Sequence, residues 1–287
     1  MECVIIHDLF LNETSKFAHV FLPGSSSLEK DGTFTSAERR IGRVRQVVEP
    51  LAGYQDWEVT EKLMTAMGYD VEYAHAGEVL DELARLTPAY AGASFELVDR
   101  VGSAQWPVNA TAPKGTEVLH TEQFPRANGL GTFMLTGFVP TRERVNEQYP
   151  LLLTTGRILS QYNVGTQTRR TENSQWHPED VLEMSLGDMQ ARGLRVGDSV
   201  TITSRFGSTR LKVVESARVN PGVIYTTFHH AESKANAVTS DLSDWATNCP
   251  EYKVTAVEVV KVRSPKPRHA DSSVKRAVLR EREAEGV

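Results

Sequence analysis

Cysteine is almost missing from this chain: two occur in 287 residues, Cys3 and Cys249, close to opposite ends. That scarcity excludes a disulfide framework. It also leaves no cluster from which a protein-bound iron–sulfur centre or a Cys-rich zinc site could be built. Redox chemistry here needs a cofactor or another polypeptide. Long apolar runs are lacking too: none approaches the ~18 residues of a membrane-spanning helix, and the opening MECVIIHDLF is broken by His7 and Asp8. No membrane span and no signal peptide are expected, and the location read from this is cytoplasmic. An excess of positive charge is absent as well, with 32 Lys and Arg against 37 Asp and Glu and a net charge of -5. Phosphate backbones and acidic membrane surfaces reward the opposite sign, so a general nucleic-acid or membrane-surface binder is excluded. Nucleophile constellations are missing: Ser25–Ser27 have no G-x-S-x-G context, and Cys249 has no base near it in sequence.

What is present is ordinary globular material, 40% hydrophobic and 24% charged, enough for a sizeable core in one large domain or two smaller ones. The first 50 residues pair a short apolar start with turns at Pro23-Gly24 and Asp31-Gly32. The basic cluster Arg39, Arg40, Arg43 and Arg45 reads as a solvated or ion-paired face with Glu29, Asp31 and Glu38. Val59, Leu63 and Met67 recur every four residues, which predicts a helix over 57–67 with Asp56 as N-cap and Gly68 as stop. A second helix is expected over 77–86 on Val79, Leu80, Leu83 and Leu86, ending before Pro88. Residues 88–150 lack periodicity and read as loops with short strands at 118–119 and 132–135; the best cut between structural units lies near residue 145.

Beyond that cut the pattern sharpens. LLLTTG at 151–156 is a buried strand feeding a loop. A helix is predicted from Pro178 to Gly193, with Glu179 and Asp180 matched to its dipole. Apolar and polar residues alternate on both sides of Phe206-Gly207-Ser208, a hairpin. Further strands are expected within 221–228 and 252–262. Several short strands with few helices read as a small β-barrel. The tail, 264–287, is charged and without a core-facing stripe, so a flexible segment is expected there.

The densest chemical signal is 154–171. Thr154, Thr155, Gly156, Arg157, Tyr162, Asn163, Gly165, Thr166, Thr168, Arg169, Arg170 and Thr171 put hydroxyls, glycines and arginines into one loop after a strand. Glycine lets backbone N–H groups approach an anion, and Arg offers bidentate bonds to phosphate. The loop is either a pyrophosphate cradle or a solvated polar loop, since it fits no GxGxxG or Walker pattern. His177-Pro178-Glu179-Asp180 is accounted for by capping at a helix start. His229 and His230 would point to opposite faces of a strand and so not share a metal, while contact of one of them with a cofactor or substrate stays open. Asn236, Thr239, Asp244, Asn248, Tyr252 and Lys253 are either contacts to a purine and its ribose or turn residues.

Three stretches carry a family likeness: LLLTTGRILSQYNVGTQTRRT, the run from WHPEDVLEMSLGDMQARG to VIYTTFHH, and NAVTSDLSDWATNCPEYKVTAVEV. They resemble the molybdopterin-dinucleotide-binding domain of the dimethyl sulfoxide reductase superfamily. DLFLNETSKFAHVFLPGSSSLEKDGTFTSAERRIGRVRQ resembles the stretch preceding that domain in formate dehydrogenase catalytic subunits, and TQTRR, FHH and PEYKVTAVEV look most similar to cytoplasmic NAD-linked ones. The likeness covers 1–262. It implies a mixed α+β chain: a partial α/β domain over 1–145, then a double-psi six-stranded β-barrel over 146–263. It further implies bis-molybdopterin guanine dinucleotide with molybdenum or tungsten. Thr155, Gly156, Arg157, Tyr162, Gly165, Thr166, Arg169 and Arg170 would line its dinucleotide, with Asn236, Tyr252 and Lys253 completing the site.

The departure from the family is equally informative. The iron–sulfur cysteines, the metal's Cys or selenocysteine ligand, and the catalytic His and Arg belong to a region this chain does not contain. No catalytic or metal-binding residue is therefore expected in it. The expected identity is the C-terminal third of a formate dehydrogenase α subunit, passing electrons to NAD, inactive alone and partnered by the N-terminal part and iron–sulfur or flavin subunits. The alternatives are a stand-alone dinucleotide-binding module and the same portion of another superfamily enzyme such as a nitrate reductase.

Overall fold

The computed structural model describes residues 1–262; the segment expected to be flexible, 264–287, lies outside them. The chain divides into two compact units after Gly137, ahead of the cut expected near 145.

In the first unit, β1 (Ile5–Asp8) and β2 (Val20–Pro23) form a parallel pair. The strands β3 (Gly32–Thr35), β4 (Arg40–Val44) and β5 (Ser103–Gln105) form an antiparallel sheet in that order. Three helices accompany them: α1 (Asp56–Ala66), α2 (Ala76–Leu86) and α3 (Phe95–Val101). Their core gathers Ile41, Leu80, Leu97, Val98, Ala104 and Val108.

The two helices read from periodicity form, and Gly68 at φ +87° takes the left-handed conformation just past α1. The N-cap differs. Gln55 is the cap, its N–H donating to Glu58 at 2.6 Å, while Asp56 is already helical and accepts from Ser25 N–H at 2.8 Å. The basic cluster is ion-paired, Arg40 with Glu38 and Arg43 with Asp31, but Asp99 also takes Arg43 and Arg45. Glu29 instead accepts backbone N–H groups of Ser26 and Leu51.

Two corrections concern 88–137. The segment contains a helix, α3, whose Ser94 hydroxyl accepts Leu97 N–H at 3.1 Å and which Gly102 terminates at φ +81°. At seven residues it is too short to show a period. The strands expected at 118–119 and 132–135 do not form, because no partner strand lies beside them to satisfy a ladder.

The second unit is built on β6 (Leu151–Gly156), β7 (Val181–Met184), β8 (Ser199–Thr203), β9 (Ser208–Glu215), β10 (Val223–Thr227) and β11 (Thr255–Lys261). They close as β10-β6-β11-β8-β9-β7. The β6–β10 and β7–β9 pairs are parallel and the other four antiparallel, the mixed six-stranded double-psi barrel. Alternate residues fill its interior, with Leu151, Leu153, Leu182, Met184, Ile202 and Ile224 fully buried. The segment ahead of β6 is fastened to this barrel. Buried Glu143 accepts two bonds from the Arg205 guanidinium, at 3.1 and 3.2 Å, and Ala256 N–H at 2.8 Å.

The helix expected to start at Pro178 is overturned. Residues 181–184 are β7, paired on both sides, and the helix begins later as α4 (Leu186–Ala191), capped by Ser185 and followed by Gly193 at φ +61°. Val181-Leu182-Glu183-Met184 alternates with its two buried side chains pointing into the barrel. That burial outweighs the helix-start residues just before it.

No helix among the described residues is long and apolar enough to cross a membrane. Large apolar side chains nevertheless stand in water. Phe133, Leu135, Phe138 and Val139 are almost wholly exposed, and Val59 and Leu63 of α1 line an open apolar hollow with Leu22, Pro23 and Tyr54. The isolated chain is therefore expected to bind a hydrophobic dye in its native state and to self-associate as concentration rises. Dye fluorescence and light scattering check this; a dye-silent monomer contradicts it.

Candidate cofactor cradle

β6 ends where the parallel partner β10 crowds it. A Cβ on Gly156 would fall 2.6 Å from the Tyr225 hydroxyl, which donates to Arg157 O at 3.1 Å. Burial, and after it the charge of Glu183, push the Tyr225 phenol up, so it stays a donor. From there the chain loops outward through Arg157, Tyr162 and Asn163 and returns at Gly165. Gly165 has φ +69°, and a Cβ there would lie 2.8 Å from His229 O, so both shape and conformation demand glycine.

The donors converge on this loop. The Arg157 guanidinium bonds Asn163 at 3.3 Å and covers the Phe228 ring at 5.3 Å. Arg169 N–H donates to Gly165 O at 2.9 Å, and the Arg170 guanidinium to Thr166 O. Tyr162 is exposed, with its N–H held by Thr168 Oγ1 at 3.1 Å. Thr155 is buried; its carbonyl accepts Lys253 Nζ at 3.0 Å and its hydroxyl donates to Tyr252 O at 3.4 Å. The expected residues 155–170 and 252–253 are thus brought together. Asn236 stands on a separate turn, 235–237, which packs on the β8–β9 hairpin where Gly207 meets the Ala237 carbonyl. Residues 154–171 contain no Asp or Glu, and such a surface offers donors and positive charge to an anion.

Three residues that the motif reading missed, and His229, for which it left a cofactor contact open, complete the candidate site. Ser160 Oγ and Gln161 Nε2 belong to side chains only 6% and 5% exposed, yet among the described residues they have no hydrogen-bond partner. Buried polar atoms are rarely left so unless a ligand or water serves them. Asp180 is the hub beneath. Its side chain is 0% exposed and accepts Thr227 Oγ1 at 2.5 Å, His230 N–H at 2.9 Å, His230 Nδ1 at 3.1 Å and His229 N–H at 3.3 Å. Burial alone would raise this carboxyl; the bonds from Thr227 and His230 outweigh it and hold it below the ordinary range. The reading of Asp180 as a helix-dipole residue is therefore corrected, and Glu179 pairs instead with Lys212 at 2.8 Å. His229, fully buried, holds the loop from below. The pattern that could have exposed this hub is an Asp next to a period-2 apolar run, read as a strand edge.

Comparison with known proteins follows the same division. Residues 151–256 match the molydopterin dinucleotide binding domain model, and residues 1–66 match the molybdopterin oxidoreductase model. The F420-dependent formate dehydrogenase 2 subunit alpha of Methanococcus maripaludis is 38% identical over 266 residues, 91% of this chain and 39% of that protein. A probable oxidoreductase of Bacillus subtilis is 34% identical over 262 residues, 90% of this chain and 26% of that protein. The chain thus spans well under half the length of these relatives. Acetylene hydratase from Pelobacter acetylenicus shares the fold, with TM-score 0.64 and 17% identity over 91% of this chain and 40% of that one. A barrel matched along β6 to β11, preceded by a matched N-terminal segment, means that the chain carries a molydopterin dinucleotide binding domain preceded by molybdopterin oxidoreductase sequence.

Proposed function

We propose that this chain is the dinucleotide-holding portion of a formate dehydrogenase whose cofactor is bis-molybdopterin guanine dinucleotide. The observation that carries the reading is the cradle itself. Two glycines keep side chains out of it, and Ser160 Oγ and Gln161 Nε2 sit buried in it without partners among the described residues. The residues fit a phosphate-linked guanosine, with three arginines and no carboxylate along 154–171. When bound, the cofactor supplies the two-electron redox centre, molybdenum or tungsten, at which formate becomes carbon dioxide.

This chain's residues bind and orient. Arg157, Arg169 and Arg170 serve the pyrophosphate. Gly156 and Gly165 would let the backbone come close to it, and Thr155, Tyr162, Thr166, Asn236, Tyr252 and Lys253 would serve ribose and base. Metal ligation and formate chemistry are assigned to the N-terminal part of the catalytic subunit, so the chain alone turns over nothing, and the whole works in the cytoplasm. NAD was the acceptor read from TQTRR, FHH and PEYKVTAVEV. A relative named for F420 matches across the same stretch, so the acceptor is assigned to an iron–sulfur or flavin partner subunit rather than to this barrel.

Calorimetry of the full chain against guanosine diphosphate tests the cradle, and formate-dependent dye reduction by the natural complex tests the substrate. Arg169→Ala is expected to weaken the nucleotide by about 1.5–3 kcal/mol, the worth of a charge-assisted hydrogen bond. Unchanged affinity removes Arg169 from the site; no uptake by the parent chain removes the cradle.

A further inference from the structure

Both ring nitrogens of His229 are committed to the backbone of the loop after β6. Nε2 lies 3.1 Å from Ile158 N, which can only donate, so Nε2 accepts. Nδ1 meets the carbonyl oxygen of Asn163, which can only accept, so Nδ1 donates. Together the two bonds fix a neutral ring with its proton on Nδ1. At 0% exposure there is no water to replace either bond. The side chain therefore staples Ile158 to Asn163, and between those points lie Ser160 and Gln161, whose Oγ and Nε2 have no partner among the described residues. Asn163 lies at φ +47°, in the left-handed region that Asn tolerates better than most side chains. The backbone of His229 is fixed in turn by Asp180, and its carbonyl closes the space beside Gly165.

We propose that His229 is a positioning residue: its neutral imidazole sets the 157–165 loop in the shape that captures the guanosine pyrophosphate end of the cofactor. The assignment rests on the cofactor reading above. His229→Phe keeps a buried planar ring and removes both nitrogens, whereas His229→Gln keeps one acceptor and one donor in a single amide. The full chain is examined by amide hydrogen exchange without nucleotide and by calorimetry with guanosine diphosphate. In the Phe variant, Ile158 is expected to exchange at least about tenfold faster and the nucleotide to bind about tenfold more weakly, the scale of losing one to two hydrogen bonds. The amides of Val200 and Ile202 in the barrel keep their protection, and the Gln variant recovers most of both losses.

A merely structural role predicts instead that barrel amides loosen with the loop and that Gln rescues nothing. Unchanged Ile158 exchange in the Phe variant overturns the proposal, as does faster exchange with unchanged nucleotide affinity. Nitrogen NMR of the labelled parent chain gives a reading that needs no variant: a proton on Nε2 rather than Nδ1 overturns the staple. If the parent chain takes up no nucleotide while Ile158 exchange still depends on His229, the cofactor reading has failed and the capture role with it, leaving only a loop staple.

Discussion

Asp180→Ala is expected to destabilise the barrel by about 3–5 kcal/mol, the cost of removing one partner from a fully buried charged network. The substitution strips the acceptor from the Thr227 hydroxyl, two backbone N–H groups and the His230 ring at once. None of these can turn to water, since the carboxylate site has no exposure. Asp180→Asn preserves shape but turns an NH2 toward donors, so it also destabilises, by less. Urea unfolding followed by circular dichroism measures both, and a loss below about 1 kcal/mol for the Ala variant would show that the hub is not what holds β10 to β7.

The pH dependence has a definite sign. The folded carboxyl lies below its unfolded value, so its contribution is complete above the unfolded carboxylate range of about 3.9 and is lost as pH falls toward the depressed folded value. The gap between parent and Ala variant should be widest near neutrality and narrow below about pH 4.

Glu143→Ala should cost about 2–3 kcal/mol, less than the Asp180 change because its partner Arg205 keeps a third of its surface in water. The effect is partly local. Glu143 ties residues 138–150 to the barrel through Arg205 and Ala256 N–H, and Tyr149 adds a cation–π contact to the same guanidinium at 4.9 Å. Limited proteolysis should therefore cut the variant within 138–150 much sooner than the parent, while fragments starting near Leu151 persist. Equal cutting of both would mean that other contacts hold this segment.

Most of the barrel was legible in two ways: the β8–β9 hairpin writes itself as alternation, and β6, β10 and β11 show as short apolar runs beside turn residues. β7 was not legible, since His177-Pro178-Glu179-Asp180 imitates a helix start and four residues of strand are too few to contradict it. In the first unit α1 and α2 were readable from spacing, and α3 was not. The candidate cradle was readable where it is contiguous, from Thr155 to Arg170. Its support was hidden because Asp180 and His229 act on partners far along the chain: His229 reaches Ile158, and Asp180 reaches Thr227. Local pattern carries no information about which distant strand comes to lie alongside.

The parallel pairing of β6 with β10, described above as architecture, also dictates a timetable. Leu152 waits for Val223 and Leu153 for Thr255 before either edge of β6 is covered. Contacts so remote in sequence must meet the entropy of closing long loops before any of them stabilises the chain, and topologies of this kind fold in milliseconds to seconds rather than microseconds. During synthesis β6 is therefore the first barrel strand to emerge, and one of its edges waits for β10 and the other for β11. The cradle at its end includes Lys253, just ahead of β11, so it takes its full shape only when the barrel closes.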